Sequence, residues 1–239
     1  MGLYEDLIEN VKAYHYEVIK DVRVGVVWSA VQSKGVGISL TYSSIYDEVE
    51  DAGNLIGKSV KELLNYMLTF NLTKVSIGVA TLNSLFDVPQ NYEDLNMLDY
   101  IESISYDKRV VFVGHFPISE SLRAKAKEII VLERSPREGD TIDTAAYYII
   151  PEADIVAITG STLANKSLES LLSLKRKGIT IVFGPSTPLS PVLFDYGVDV
   201  IGASVVKHPQ FVLNAISQGG KLSNFKKYIE YIVLKKEVR

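Results

Sequence analysis

Cysteine is absent from the 239 residues, and there are only three histidines and one tryptophan. Without thiols the chain can form no disulfide, thiolate metal site, iron–sulfur cluster or cysteine nucleophile, so any metal must be held by nitrogen or oxygen. No apolar run approaches the roughly 20 residues needed to span a bilayer. Basic residues do not gather either. With 25 Lys and Arg against 29 Asp and Glu, the net charge is −4, which argues against a binder of nucleic-acid backbones. The opening Met1-Gly-Leu-Tyr-Glu-Asp6 is acidic rather than the basic start of a signal peptide. These absences predict a cytoplasmic protein that binds neither nucleic acid nor membrane. Its expected partners are a small molecule or a second copy of itself, as a homodimer.

What is present suffices for a sizeable core, since 47% of the residues are apolar. Helical spacing predicts an amphipathic first helix over 3–20, with Leu3, Leu7, Ile8, Val11, Val18 and Ile19 on its apolar side and His15 within it. Two β-rich runs follow, Val22 to Val31 and Val36 to Tyr42, separated by the hairpin signature Gln32-Ser-Lys-Gly35. In the second run Val36, Ile38, Leu40 and Tyr42 alternate with Gly37, Ser39 and Thr41. The small, polar face is suited to close approach by another backbone or by a ligand. Helices are expected over 58–70 and 72–86. Turn residues in Asp87-Val-Pro-Gln-Asn-Tyr-Glu-Asp94 mark the best boundary, dividing the chain into domains of residues 1–100 and 101–239.

Beyond that boundary, short Val- and Ile-rich runs alternate with helical segments. Strands are predicted at 109–114, 128–132, 154–159, 180–184 and 198–201, with helices near 119–127, 163–177, 189–195 and 208–218. This is the pattern of a parallel sheet covered on both faces, a Rossmann-like doubly wound domain. A last helix is expected over 223–236. Ser119 can cap one helix, and Gly178 can end another after Lys175, Arg176 and Lys177.

In such a sheet, ligands bind beyond the carboxyl ends of the strands, so the residues after each strand are the candidate site. Gly114-His115-Phe-Pro117 lacks the second glycine of G-x-G-x-x-G, which disfavours a dinucleotide bound in the usual way. Glu133 and Arg134 end the second strand, where an acidic residue of nucleotide-binding sheets meets ribose hydroxyls. Thr159-Gly160-Ser161-Thr162 and Asn165 offer hydroxyls, N–H groups and an amide to an anion or carboxylate. In Gly184-Pro185-Ser186-Thr187-Pro188, prolines fix the loop and its remaining N–H groups are expected to face a ligand. Asp143, spaced three from Asp140, and His115 are candidates for moving protons. His208 precedes Pro209, as a helix start would. No paired-histidine or dense carboxylate spacing marks a preformed metal site, so no metal or cofactor is identified.

Glu133-Arg-Ser-Pro136, Ala153-Asp-Ile-Val-Ala-Ile-Thr-Gly-Ser-Thr-Leu-Ala-Asn165 and Gly184-Pro-Ser-Thr-Pro-Leu-Ser-Pro191, followed by Asp195-Tyr-Gly-Val-Asp199, resemble a domain-of-unknown-function family labelled "putative heavy-metal chelation". Val27-Trp28-Ser-Ala-Val31 and Gly35-Val-Gly37 extend the resemblance over essentially the whole chain. It implies an N-terminal α+β domain similar to the amino-terminal fold of enolases, then a Rossmann-like α/β domain, with the site between them. Gly37, Ser39 or Thr41 would then meet the loops at 133, 160 and 185.

Three functional readings are consistent with these residues. In the first, an enzyme hydrolyses, condenses or transfers a pterin-like, flavin-precursor or chelator-related molecule. Glu133 would orient the substrate, Asp143 or His115 would move a proton, and Ser161, Thr162, Ser186 and Thr187 would bind oxyanions. The second is a methyltransferase-like or nucleotide-binding enzyme with Glu133 on an adenosine ribose. In the third, a non-catalytic protein holds a metal or a metal chelate.

Overall fold

The computed structural model describes residues 2–89, 92, 93 and 95–237; residues 90, 91 and 94 of the boundary segment lie outside this set. The first half forms an antiparallel sheet in the order β1 (Asp21–Val24), β2 (Trp28–Gln32), β3 (Val36–Leu40). Helices α1 (Leu3–Asn10), α2 (Val60–Leu64) and α3 (Leu72–Asn83) accompany it.

Two expectations need correction here. The first helix stops at Asn10, and His15 lies outside it, past a tight turn at Lys12–Tyr14. The segment beyond leaves the helical path because its backbone pairs elsewhere, Ile19 N–H donating to the Lys58 carbonyl and Val60 N–H to that of Glu17. The run from Val22 to Val31 is not one strand but two, paired antiparallel across a turn closed by Gly25 N–H on the Trp28 carbonyl. The predicted hairpin at 32–35 joins β2 to β3.

The second half contains α4 (Met97–Ile104), β4 (Arg109–Val113), α5 (Glu120–Lys125), β5 (Glu128–Glu133), β6 (Thr141–Ile142) and α6 (Ala146–Ile149). It continues with β7 (Ile155–Thr159), α7 (Ser161–Ala164), α8 (Leu168–Ser173), β8 (Ile179–Phe183) and α9 (Val192–Asp195). The last elements are β9 (Val200–Val206), α10 (Pro209–Ser217), α11 (Leu222–Phe225) and β10 (Ile229–Lys235). These strands form one sheet in the order β10-β9-β8-β7-β4-β5-β6. All neighbours are parallel except β10, which runs antiparallel to β9. From β4 the chain winds outward to β6, then crosses back to β7 on the other side of β4, which is the order of a doubly wound Rossmann-like sheet.

The helix expected over 223–236 is the clearest miss. Phe225, Ile229, Ile232 and Val233 fall at helical spacing, but only Leu222–Phe225 is helical, as α11; β-branched side chains also suit a strand, and the open edge of β9 takes up Ile229, Ile232 and Val233 in β10. α4, the short β6 and α6 were not foreseen. The segment read as one helix over 163–177 is two, broken at Asn165–Ser167, where Lys166 takes a left-handed backbone with φ 68°.

The two halves share their packing. Trp28, Ala30, Val36 and Ile38 of the small sheet pack on Val212, Leu213 and Ile216 of α10 and on Phe225, whose ring meets Trp28 edge-on at 6.0 Å. The side chains of the large sheet alternate between two cores. Val110, Phe112, Ile155 and Ala157 face one with Met97 and Ile101 of α4, while Val111, Val113, Val156 and Ile158 face the other, shared with α1 to α3.

At the opposite end from the strands' carboxyl termini, the Lys175 ammonium is buried without a hydrogen-bond partner. Burial pushes its pKa down to about 8, against the opposing pull of Asp199 and Asp154. The folded state therefore binds fewer protons than the unfolded state between about pH 8 and pH 10.5, and Lys175 makes stability rise with pH across that window. The Lys175→Met variant is expected to be more stable at pH 7 and to lose this part of the rise. Urea midpoints compared at pH 7 and pH 10 test it; identical pH dependences in the two proteins would exclude the charged buried amine.

Candidate functional site

β4 and β7 are neighbours whose following turns diverge, and this switch point positions the site. Gly114 holds the turn after β4 at φ 97°, and a Cβ there would come within 2.8 Å of Thr159 Cγ2. The two turns thus pack directly on one another, and the crevice opens beside them. It is a cavity of about 550 Å³. Val113, Leu132, Leu171 and Leu174 supply an apolar interior, and Trp28, Leu40 and Tyr42 of the small-sheet region close one wall. α8 presents Ser167, Ser170, Leu171 and Leu174, one face at helical spacing, while Ala146 and Tyr147 come from α6.

A histidine is bound between two carboxylates at the mouth. His115 Nδ1 lies 3.2 Å from Glu133 Oε2, and Nε2 lies 2.5 Å from Asp140 Oδ2. The loop holds both acids: Glu133 Oε1 accepts from Arg134 N–H at 2.8 Å, and Asp140 Oδ2 accepts from Arg137 N–H at 2.7 Å. The Arg137 N–H, followed by the His115 contact, keeps the Asp140 carboxyl below its usual range. Both ring nitrogens of His115 thus face a carboxylate, so a ligand reaches either nitrogen only by displacing one of the acids. Asp143 is less constrained. It lines the cavity with Arg134 Nε 3.3 Å from its Oδ2.

Other expected site residues divide between the cavity and its supports. Gly114, His115, Glu133, Arg134, Asp143, Thr159, Ser161, Thr162, Asn165, Pro185 and Ser186 line it. Gly160, Gly184 and Thr187 do not; they shape the loops behind. A Cβ on Gly160 would come within 2.6 Å of Thr187 N, and Thr187 N–H closes a turn on the Gly184 carbonyl. Gly184 N–H is likewise taken by the Gly202 carbonyl, so these N–H groups of the proline-pinned loop serve the fold rather than a ligand. Thr162 Oγ1 donates to the Thr159 carbonyl at 2.6 Å, while the hydroxyls of Thr159 and Ser161 lie 3.1 Å apart.

The hairpin meets the loops by different atoms from those expected. Ser186 Oγ accepts from Leu40 N–H at 2.8 Å, and the Ser186 carbonyl accepts from Asn83 Nδ2 at 3.1 Å. Gly37 packs on α3, and Thr41 pairs with Ser29. The small residues of β3 thus admit a helix backbone, and its larger neighbours Leu40 and Tyr42 reach the cavity. Asn165 links the halves a second time: its Nδ2 donates to the Tyr42 hydroxyl at 3.3 Å, and its Oδ1 accepts from Ser167 Oγ at 2.6 Å. His208 is placed as expected, at the start of α10, with its ring edge-on to Tyr228.

Sequence reasoning missed the contributions of α6 and α8. The i, i+3, i+4, i+7 spacing of Ser167, Ser170, Leu171 and Leu174 was visible, but not that this face would border an opening.

Among the described residues, no group of three or more His, Asp or Glu side chains converges as a metal site. The nearest approach, Glu133–His115–Asp140, uses opposite ring nitrogens, so its donors do not point to a common centre. The donor set does not fit a directly bound heavy metal.

Fold and site define an α/β protein with a polar-rimmed cavity at the switch point of a Rossmann-like sheet, walled by a smaller α/β unit. Two family models match the chain, DUF4213 over residues 4–86 and DUF364 over residues 96–235, both described as "putative heavy-metal chelation". The chain belongs to this family. An uncharacterized protein of Methanocaldococcus jannaschii is 30% identical over 187 residues, covering 72% of this chain and 71% of that protein. The crystal structure of a family member of unknown function from Desulfitobacterium hafniense DCB-2 superposes with a TM-score of 0.86 at 25% identity, covering 98% of each chain. A second, from Pyrococcus horikoshii, has a TM-score of 0.83 at 19% identity over 98% of each chain and shows the fold alone. No helix among the described residues is long and apolar enough to cross a membrane.

Proposed function

We propose that this protein binds a small polar molecule, a metabolite or a metal already wrapped in an organic chelator, in the cavity between its units of residues 1–100 and 101–239. One observation carries the reading: residues at five strand ends, the α8 face and the small-sheet wall border a single cavity of about 550 Å³. That volume is in the range of ligand pockets, and an apolar interior with a few convergent polar groups is the lining such pockets have. The family description supports a chelate, whereas the non-convergent donors disfavour a bare ion. If the bound molecule reacts, Asp143 would move the proton, a role that its position in the cavity lining supports, with His115 recruited when a ligand displaces a carboxylate from it.

Ser170, exposed at the cavity rim, provides the test. Ser170→Trp is expected to fill the opening without unfolding α8, and native mass spectrometry should then lose a small molecule that copurifies with the unaltered protein. If Ser170→Trp, folded as judged by circular dichroism, retains every ligand the parent protein binds, the cavity is not the binding site.

A further inference from the structure

We infer that the cavity takes a 6-aminopurine ribonucleoside whose 5′ substituent is uncharged or cationic, which is to say an adenosine or adenosyl compound rather than a nucleotide. The inference rests on the cavity being a binding site and specifies its ligand. Strand order supplies the first argument. Glu133 ends the strand next to β4, the position from which a carboxylate accepts ribose hydroxyls in doubly wound sheets, and its side chain lines the cavity. Each carboxylate oxygen has two lone pairs; Oε1 already accepts from the Arg134 and Ser135 N–H groups and Oε2 faces His115, which leaves one lone pair, on Oε2, for a ribose hydroxyl.

The second argument is the neighbouring strand end. Ile142 of β6 pairs with Glu133, and the next residue is Asp143, so a second carboxylate borders the same cavity one strand further out. Beyond it lie Ala146 and Tyr147 of α6, with Leu171 and Leu174 of α8 also lining the space. A flat ring lodged among these apolar groups would bring an exocyclic amino group toward Asp143, an acceptor when ionised. A plain sugar or polyol uses the hydroxyl acceptor but leaves this apolar region empty.

Charge decides against phosphate. Among the described residues the lining carries two carboxylates, no lysine and one arginine, Arg134, which is already paired with Asp143. The turn after β4 offers no cradle either: Gly114 N–H donates to the Leu132 carbonyl, Phe116 is stacked on Phe183 at 4.1 Å, and Pro117 has no N–H.

Titration calorimetry with adenosine, 2′,3′-dideoxyadenosine, inosine and AMP tests this. Adenosine is expected to bind, with dideoxyadenosine and AMP each at least about tenfold weaker, since each loses or opposes a charge-assisted contact. Glu133→Gln should weaken adenosine by about tenfold and narrow its advantage over the dideoxy analogue. Asp143→Asn should shift preference toward inosine, because an amide can donate to a 6-oxo group. No heat from adenosine overturns the inference, as does binding of all four probes within twofold, a comparison that needs no variant to fold. If adenosine fails while Ser170→Trp still displaces a copurifying molecule, only the nucleoside assignment falls. If Ser170→Trp displaces nothing that the parent protein binds, the cavity reading falls with it.

Discussion

Gly37→Ala is expected to lower the melting temperature by roughly 6–12 °C, from about 3 kcal/mol of overpacking in a chain of this size. A Cβ at Gly37 would overlap the Ala80 carbonyl oxygen and lie 2.5 Å from the backbone carbon of Asn83, with Ser84 N also in its way. All three are backbone atoms of α3 and its end, so no side-chain rotation relieves the clash. The hairpin must lift, and it carries Leu40, whose N–H is bonded to Ser186 on the far side of the cavity. The same substitution should therefore weaken ligand binding more than an equal loss of stability elsewhere. Gly35→Ala is the control, since the nearest atom to its Cβ would be the Ser84 carbonyl at 3.3 Å. Melting of the Gly37 variant within about a degree of the Gly35 control would show that the hairpin yields without cost.

Phe112→Ala should be the larger loss of stability, roughly 3–5 kcal/mol by the cost of phenylalanine truncation in packed cores. Phe112 is 0% exposed in the central strand β4, its ring 5.8 Å from that of Phe116 and its side chain among Met97, Ile101 and Phe183. It points to the face of the sheet opposite Val113, which lines the cavity. The denaturant midpoint should fall with an unchanged slope, while ligand affinity of the folded fraction stays near that of the parent. A midpoint shift below about 1 kcal/mol would mean that α4 collapses onto the vacancy. The contrast separates wall from core: one variant disturbs stability and binding together, the other stability alone.

Much of the second half was legible because a parallel sheet buried on both faces demands continuous Val and Ile, and 109–113, 128–133, 155–159 and 179–183 supply them. Ser119 accepts from Leu122 N–H at its helix start, as local chemistry alone predicts. Gly178 adopts φ 73°, but α8 has already ended at Ser173, so this glycine leads into β8 against the Asp154 carbonyl rather than ending a helix. Where local pattern was ambiguous, long-range pairing decided. Residues 229–235 could satisfy a helix or a strand, and the unpaired edge of β9 made them a strand. The break at Gly25 was invisible because both flanking runs have strand character; a close turn against Ile216 of α10 fixes it.

For the site, the sequence determined which loops carry hydroxyls, carboxylates and glycines, because such residues cluster where strands end and the backbone must turn. It did not determine which of those groups remain available. Only the tertiary structure separated Gly160, Gly184 and Thr187, used to build the loops, from Glu133, Asp143 and Ser161, which border the cavity. It alone brought Leu40, Tyr42 and the α8 face to that opening. The reason is physical: a side chain's residue type is local, but its hydrogen-bond partners and its exposure depend on what folds against it from tens of residues away.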